Sequence, residues 1–192
     1  MGTLVNVAVL SREEFDAIEF EATLTGDHQS AAARMAQLAK TGIQSESMPR
    51  AEAFVRAGEQ WLLADNPAAA ADGFRMAIAD GGPVEVDPRA PLCRALVQLG
   101  EEDEATAIID TMLAEGRSDP RACEVIGELL LEQSDLNGAL EWVTVGVELI
   151  LQGAARAEST PYPGLNELLR LRYRIRNDLR LPEDEFDRML SA

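Results

Sequence analysis

Three stretches share one pattern: Asn66-Pro-Ala-Ala-Ala-Ala-Asp-Gly-Phe74, Glu101-Glu-Asp-Glu-Ala-Thr-Ala-Ile-Ile109 and Asp135-Leu-Asn-Gly-Ala-Leu-Glu-Trp-Val143. In each, an alanine is followed four residues later by a large apolar residue, a spacing that places both on one helical face. The alanines, Ala70, Ala105 and Ala139, are spaced by 35 and then 34 residues. A fixed period of this length predicts stacked helix–turn–helix units.

Helix start and stop signals divide the rest of the chain. Asn66-Pro67, Asp87-Pro88 and Asp119-Pro120 each place a capping side chain before a proline at the first helical position. Ser11 with Glu14 forms a capping-box pattern. Glycines after apolar-periodic stretches indicate helix ends: Gly42, Gly81, Gly100 and Gly116. Together these signals predict ten helices, at residues 12–25, 28–41, 50–65, 67–80, 88–99, 101–115, 120–132, 135–152, 163–180 and 182–190.

Two segments near the end of the chain need separate interpretation. In residues 169–176 every second residue is arginine, and the residues between are leucine, tyrosine or isoleucine, an alternation that by itself suggests a strand. Leu168, Leu171, Ile175 and Leu179 nevertheless fall on one helical stripe, so a helix is predicted there. Residues 153–162, rich in small residues, with Pro161 near their end and Pro163 directly after them, are predicted to be a linker.

The repeat resembles the tetratricopeptide-repeat (TPR) family, whose unit has Trp-x2-Leu-Gly-x2-Tyr, then Ala-x3-Phe, then Pro. The first clear unit matches with Gly58, Trp61, Ala70 and Phe74. Two more units follow in register. The second has Cys93, Leu96, Gly100, Ala105 and Ile109, and the third has Cys123, Ile126, Gly127, Ala139 and Val143. Phe15, Ile18, Ala22, Ala31 and Met35 form a degenerate earlier unit.

The resemblance implies a fold class and a division of the chain. The expected fold is an all-α, TPR-like helical solenoid (an α-α superhelix) of three to four repeats with C-terminal capping helices. Residues 1–47 would hold the N-terminal helices, residues 48–152 three repeats, and residues 153–192 a linker and Arg-rich capping helices. Small residues in the shared slots let paired helices approach closely.

Composition restricts the classes of partner. The chain of 192 residues has 34 acidic and 17 basic residues and a net charge of −17, so it repels phosphate backbones. No apolar run reaches membrane-spanning length, and the apolar segment 4–10 is too short for a signal peptide. Two cysteines suggest no disulfide framework and favour a cytoplasmic location. Nearly all basic residues are arginine, which with the high alanine content is typical of a GC-rich bacterial genome.

No residue pattern supports chemistry. His28 is the only histidine and is predicted to be a surface residue at a helix start. Cys93 and Cys123 occupy core slots and are predicted to be small buried hydrophobes. Without a nucleotide-binding loop, a nucleophile elbow or a zinc ligand set, we predict a non-enzyme with no catalytic residue, metal or cofactor.

In TPR proteins the first helix of each unit lines the concave face, so the resemblance implies a groove of first-helix residues. In this chain these are Glu52, Val55, Glu59, Leu62, Asp87, Ala90, Arg94, Val97, Arg121, Glu124, Glu128 and Leu131, with Glu13, Asp16, Phe20 and Thr23 from the earlier unit. The predicted groove is acidic with an apolar strip. It should bind a basic or amphipathic segment of another protein, unless its acids belong only to a generally acidic surface.

The second candidate surface is an arginine cluster on the predicted helix 163–180, formed by Arg170, Arg172, Arg174, Arg176 and Arg180. Three interpretations remain open: an anionic-ligand site, pairing with acids of the preceding repeats, and self-association of a structural protein into a homodimer through another copy's acidic groove. Trp142 is a further interface candidate, since tryptophan is enriched at binding hot spots, or it completes the packing of the last repeat.

Overall fold

The computed structural model describes residues 9–116, 119–156 and 164–190, which form an all-α structure. Its helices are α1 (Arg12–Thr25), α2 (His28–Thr41), α3 (Arg50–Leu63), α4 (Pro67–Asp80), α5 (Arg89–Leu99), α6 (Glu102–Glu115), α7 (Pro120–Glu132), α8 (Leu136–Arg156), α9 (Leu165–Asp178) and α10 (Glu185–Met189). Outside them, an isolated parallel bridge joins Val9 to Ile43, where the Leu10 amide donates to the Ile43 carbonyl at 2.8 Å.

The observed helices agree closely with the predicted ones. α1, α2, α4 and α7 have the predicted bounds, and residues 169–176 are helical as predicted. α8 continues to Arg156, so the first part of the predicted linker is helix; residues 157–163 lie outside the described residues, as do residues 4–8 of the N-terminal apolar run. α10 is shorter than predicted because Asp184, with Asp187, forms a capping box that begins the helix after Pro182.

The predicted caps explain most helix ends. Asn66 accepts a hydrogen bond from the Ala69 amide at 3.2 Å, and Asp119 accepts one from the Arg121 amide at 2.9 Å. Gly81 and Gly100 take the left-handed conformation that ends α4 and α5. Gly42 is extended instead, and a side chain there would come within 2.5 Å of Leu10, so close packing requires this glycine.

The chain divides within α6 into two compact units, residues 1–105 and 106–192. The first, unit 1, has a core of large buried side chains that include Phe15, Met35, Phe74 and Leu96. Its α3 packs against both α2 and α4. A side chain at Gly58 would lie 2.5 Å from the Phe74 ring, so glycine at this slot allows α3 and α4 to approach closely.

The second unit, unit 2, repeats this arrangement two periods later. α7 packs on α8, and a side chain at Gly127 would lie 2.3 Å from Val143 Cγ2. α9 covers the other side of α8 and buries Leu168, Leu169 and Ile175 in the same core as Val143. The last helices therefore close an apolar surface that a lone helix pair would leave exposed, as the predicted capping role requires.

Candidate functional site

In unit 1 the first helices α1 and α3 run side by side in the same direction. Arg56, in the middle of α3, bonds to Asp16 and Glu19 in the middle of α1. Nearer the end of α3, Gln60 bonds through Oε1 to Nδ1 of His28, just beyond the end of α1, at 2.9 Å. By helical spacing, Glu59 and Leu63 follow Arg56 one and two turns along α3, and Phe20 and Leu24 follow Asp16 one and two turns along α1, each pair on the side of its helix that carries the Arg56–Asp16 bond.

Arg56 is buried between α1 and α3 and links the two helices. Its side chain is buried, donates from Nε to Glu19 Oε1 at 2.7 Å and from a terminal nitrogen to Asp16 Oδ1 at 2.7 Å, and lies over the Phe15 ring at 5.6 Å. Burial opposes its charge, but the bonds to Glu19 and Asp16 outweigh burial and raise its pKa. Arg56 thus partly neutralises Asp16 and Glu19 of α1. Arg56 was not among the predicted groove residues.

Above Arg56 lies a surface that we call the first-helix face: Glu13, Asp16, Phe20 and Leu24 of α1 with Glu59 and Leu63 of α3. Phe20, Leu24 and Leu63 expose 66%, 71% and 62% of their area. Glu13 and Glu59 make no hydrogen bond or ion pair with the described residues. The face therefore combines large exposed apolar side chains with unpaired carboxylates.

Glu59 has the most strongly perturbed carboxylate of the first-helix face. Although Glu59 is exposed, the surrounding protein removes water from its carboxylate, and this desolvation raises its pKa to about 7. The charges of Glu52 and Glu19 act in the same direction, while Arg56 opposes them. Glu59 consequently changes charge near neutral pH.

The structure corrects three of the predicted groove residues in unit 1. Glu52, Val55 and Ala90 are buried, and Glu52 accepts a hydrogen bond from the Glu85 amide at 2.8 Å. They hold the fold together and offer no surface to a partner. Partly exposed positions remain at Leu62, Asp87, Arg94 and Val97, and Asp87 is bound to Arg89 at 2.7 Å.

In unit 2 the predicted groove residues lie on α7. Glu128 is exposed, whereas Arg121, Glu124 and Leu131 are partly buried. Burial raises the pKa of Glu124, and the neighbouring carboxylates of Glu128 and Glu167 add to this effect. Unit 2 thus holds its own acidic patch on α7.

The arginines of α9 separate into two sets, and one of them is internal. Arg172 is 4% exposed; it donates to Asp184 at 3.0 Å and to Asp187 at 3.3 Å, and it lies over the Phe186 ring. Arg176 donates to Asp187 at 2.9 Å. The bond from Arg172 lowers the pKa of Asp184 to about 2. These arginines pair with acids of the following helix α10, not with acids of the preceding repeats.

The other set is exposed. Arg170, Tyr173 and Arg174 occupy the outer side of α9, and Arg170 and Arg174 make no hydrogen bond or ion pair with the described residues. Trp142 is only 3% exposed, so the expectation of a partly exposed interface residue is wrong; it belongs to the packing of α8. Of the arginine-cluster candidates, Arg170 and Arg174 are the ones a partner could reach; of the predicted groove residues in unit 2, Glu128 is exposed.

An opening in unit 1 was not predicted. A cavity of about 590 Å³ lies between α2 and α4, with α3 as its floor. Phe54, Trp61 and Met76 contribute its large side chains, and alanines of α2 and α4 form much of its wall. Alanines on the facing sides of α2 and α4 (Ala33, Ala36, Ala69 and Ala79) were the available signal, because small side chains on facing helices leave space between them.

The histidine and the two cysteines considered as candidates for catalysis or metal binding are packed within the protein. His28 is partly buried against Gln60, which corrects its expected surface position. Cys93 and Cys123 are buried as predicted and form no disulfide, and burial raises the pKa of Cys93 to about 12. Within the described residues, no cluster of three or more His, Cys, Asp or Glu side chains could hold a metal ion. No helix there is both long and apolar enough to cross a membrane.

Comparison with known proteins identifies the fold. A crystal structure of a Podospora anserina protein assigned as a kinesin light chain, with nearly identical TPR-like repeats, matches with a TM-score of 0.55. The match covers 94% of this chain and 91% of that chain at 15% identity. The fold is TPR-like. No protein-family model matches the sequence, and no curated protein does.

Proposed function

We propose that the protein is a non-catalytic interaction module whose first-helix face binds a basic, amphipathic segment of another protein. The observation that carries this proposal is the combination on one face of three exposed apolar side chains with the unpaired carboxylates of Glu13 and Glu59. Large apolar side chains that share one patch mark interaction sites more often than single exposed ones do.

The charge of the face selects the ligand. Glu13, Asp16 and Glu59 face outward, while the neutralising Arg56 is buried beneath them. A net charge of −17 adds a long-range field that attracts cationic segments and repels anionic ones. Arginine or lysine side chains of a ligand would meet these carboxylates, which raises the association rate and selects against acidic partners.

The apolar residues select the form of the ligand. Phe20 and Leu24 are four residues apart on α1, and Leu63 on α3 is exposed as they are. A helix with apolar side chains at matching spacing could lay them along this line, which is a common mode of peptide recognition. Phe20 has the largest apolar side chain on the face and is the expected anchor of the contact.

The test measures the binding of designed peptides by fluorescence anisotropy. We expect the wild-type protein to bind an amphipathic helical peptide of leucine and arginine, and not its leucine and glutamate counterpart. The double variant Glu13→Arg/Glu59→Arg should weaken binding on the order of tenfold, because each exposed ion pair contributes up to about 1 kcal/mol. Phe20→Ser should weaken binding without changing its salt dependence.

The matched control is Glu46→Arg/Asp72→Arg, which changes the net charge equally at exposed positions outside the first-helix face. It should bind the basic peptide nearly as well as the wild type does. Equal losses in both double variants would show that only net charge attracts the peptide. That result, or undiminished binding by Phe20→Ser and Glu13→Arg/Glu59→Arg, would overturn the proposal.

A further inference from the structure

We infer that the first-helix face has a partner in the protein itself: the exposed side of α9 from a second copy of the chain. This inference rests on the proposed function, since it names one basic, amphipathic segment that the face would take. The contact would place Arg170 and Arg174 of one copy against Glu13 and Glu59 of another, with Tyr173 against Phe20. It is a self-association between two different surfaces of the chain.

The outer side of α9 has the form of such a segment. Arg170, Tyr173 and Arg174 follow one another at helical spacing, and Asn166 and Asn177 extend the same exposed stripe by a turn at each end. Tyr173 is 39% exposed and offers an apolar ring with a polar tip. This stripe brings together two cations and an aromatic ring, which complement the acids and Phe20 of the first-helix face. The exposed acids Glu167 and Asp178 lie along one edge of the stripe, one turn before Arg170 and one turn after Arg174.

The buried residues of α9 hold this stripe in place. Leu168, Leu169 and Ile175 are buried in the core of unit 2, and Arg172 is bonded to Thr144, Asp184 and Asp187. The helix is therefore already formed before a partner binds. A preformed helix loses less conformational entropy on binding than a free peptide does, so even a small contact can be populated.

Charge complementarity points to a second copy as the occupant. Arg170 and Arg174 lack partners among the described residues of their own chain, and Glu13 and Glu59 do as well. With 34 acids and 17 basic residues in the sequence, most of the surface repels other copies, and Arg170 and Arg174 form a local exception on α9. Association through this stripe would be weak, directional and dependent on ionic strength.

The two surfaces differ, so the contact is of the head-to-tail type. Two copies could form both contacts reciprocally and close a dimer, or each copy could bind the next and extend a chain. Either arrangement makes the same prediction for mutations. A variant that lacks either the first-helix face or the exposed side of α9 should not self-associate. When these two kinds of variant are mixed, the intact first-helix face of one can still bind the intact α9 of the other.

Light scattering coupled to size-exclusion chromatography tests the inference on the full chain. We expect the wild-type mass to exceed that of a monomer at low ionic strength and to fall towards it at high ionic strength. Arg170→Glu/Arg174→Glu should be monomeric at both. The control Lys40→Glu/Arg180→Glu carries the same net charge at other exposed positions and should associate as the wild type does.

A charge-swap experiment makes the test specific. Arg170→Glu/Arg174→Glu and Glu13→Arg/Glu59→Arg should each be monomeric alone and should form a complex when mixed at low ionic strength. A wild type that is monomeric under all conditions, or an α9 variant that associates like the wild type, would overturn the inference. If the designed basic peptide still binds the first-helix face in that case, self-association alone has failed and the proposed function stands.

Discussion

At the scale of single residues, glycine recurs where helices of one repeat touch. Gly58 faces Phe74 in unit 1, and Gly127 faces Val143 two periods later in unit 2. In the intervening repeat the equivalent slot holds Cys93, whose thiol lies 3.6 Å from the Ala105 carbonyl oxygen. The requirement is therefore for a small side chain, and its size sets the distance between paired helices.

Gly127→Ala tests this requirement. The added methyl group would lie 2.3 Å from Val143 Cγ2, on a buried β-branched side chain that cannot rotate away easily. We expect a loss of about 1–3 kcal/mol in the free energy of unfolding, measured by urea denaturation. Gly153→Ala is the matched control in α8, because the space around that position is open; it should be neutral or stabilising by up to about 1 kcal/mol. Equal effects of the two substitutions would contradict the packing argument.

Glu59 makes both stability and binding depend on pH. Its pKa rises from 4.5 to about 7 on folding, so the folded state binds more protons than the unfolded state between these values. Stability should therefore fall as the pH rises through this range, while affinity for a basic peptide should increase as Glu59 ionises. Thermal unfolding and anisotropy titrations across the range would measure both effects.

Glu59→Gln should remove much of each pH dependence and should raise the melting temperature above neutral pH, because it removes a desolvated charge. Glu46→Gln serves as a control, since it removes an exposed carboxylate outside the first-helix face. An unchanged pH profile in Glu59→Gln would show that other groups are responsible.

At the scale of helices, α9 has two sides with different roles. Its inner side buries leucine and isoleucine and holds α10 through Arg172, Arg176, Asp184 and Asp187. Its outer side presents Arg170 and Arg174 to solvent. The arginines of residues 169–176 thus lie on two sides of the helix: Arg172 and Arg176 face the protein, and Arg170 and Arg174 face solvent.

Arg172→Met and Arg170→Met should distinguish these stripes. Removing Arg172 leaves the buried Asp187 without one of its cations, and we expect a loss of about 3–5 kcal/mol in the free energy of unfolding. Removing Arg170 should change stability by less than about 0.5 kcal/mol, because its side chain is exposed. Urea denaturation measures both variants. Similar stabilities for the two would mean that the cluster with α10 does not stabilise the fold.

At the scale of the whole molecule, excess negative charge is the dominant electrostatic feature. The formal net charge of −17 already counts both members of exposed pairs such as Arg12 with Glu85, so it measures the acids that exceed the basic residues. Self-repulsion of this kind destabilises a compact state, and salt screens repulsion over distances beyond about 10 Å.

We therefore expect added sodium chloride to raise the melting temperature, measured at a protein concentration where light scattering shows the monomer. The same addition should weaken binding of the basic peptide, since salt screens attraction and repulsion alike. A melting temperature that falls with salt would show that local ion pairs outweigh the net repulsion.

The sequence by itself determined the helices and the class of fold. The 34–35-residue period, the Asn-Pro and Asp-Pro caps and the glycine stops are local signals, and a helix is stabilised largely by local hydrogen bonds, so its ends could be read with few errors. The repeat also predicted which positions require a small side chain, including Gly58 and Gly127, because equivalent positions in successive repeats have equivalent neighbours.

Only the tertiary structure decided which charged residues are available to a partner. Helical periodicity places Glu52 and Glu59 on one stripe, yet contacts from other parts of the chain bury Glu52 and leave Glu59 exposed. The same holds for Arg172 and Arg170, whose surroundings depend on α8 and α10. Burial and ion pairing are properties of residues brought together from distant parts of the sequence, and a pattern along one helix does not contain them.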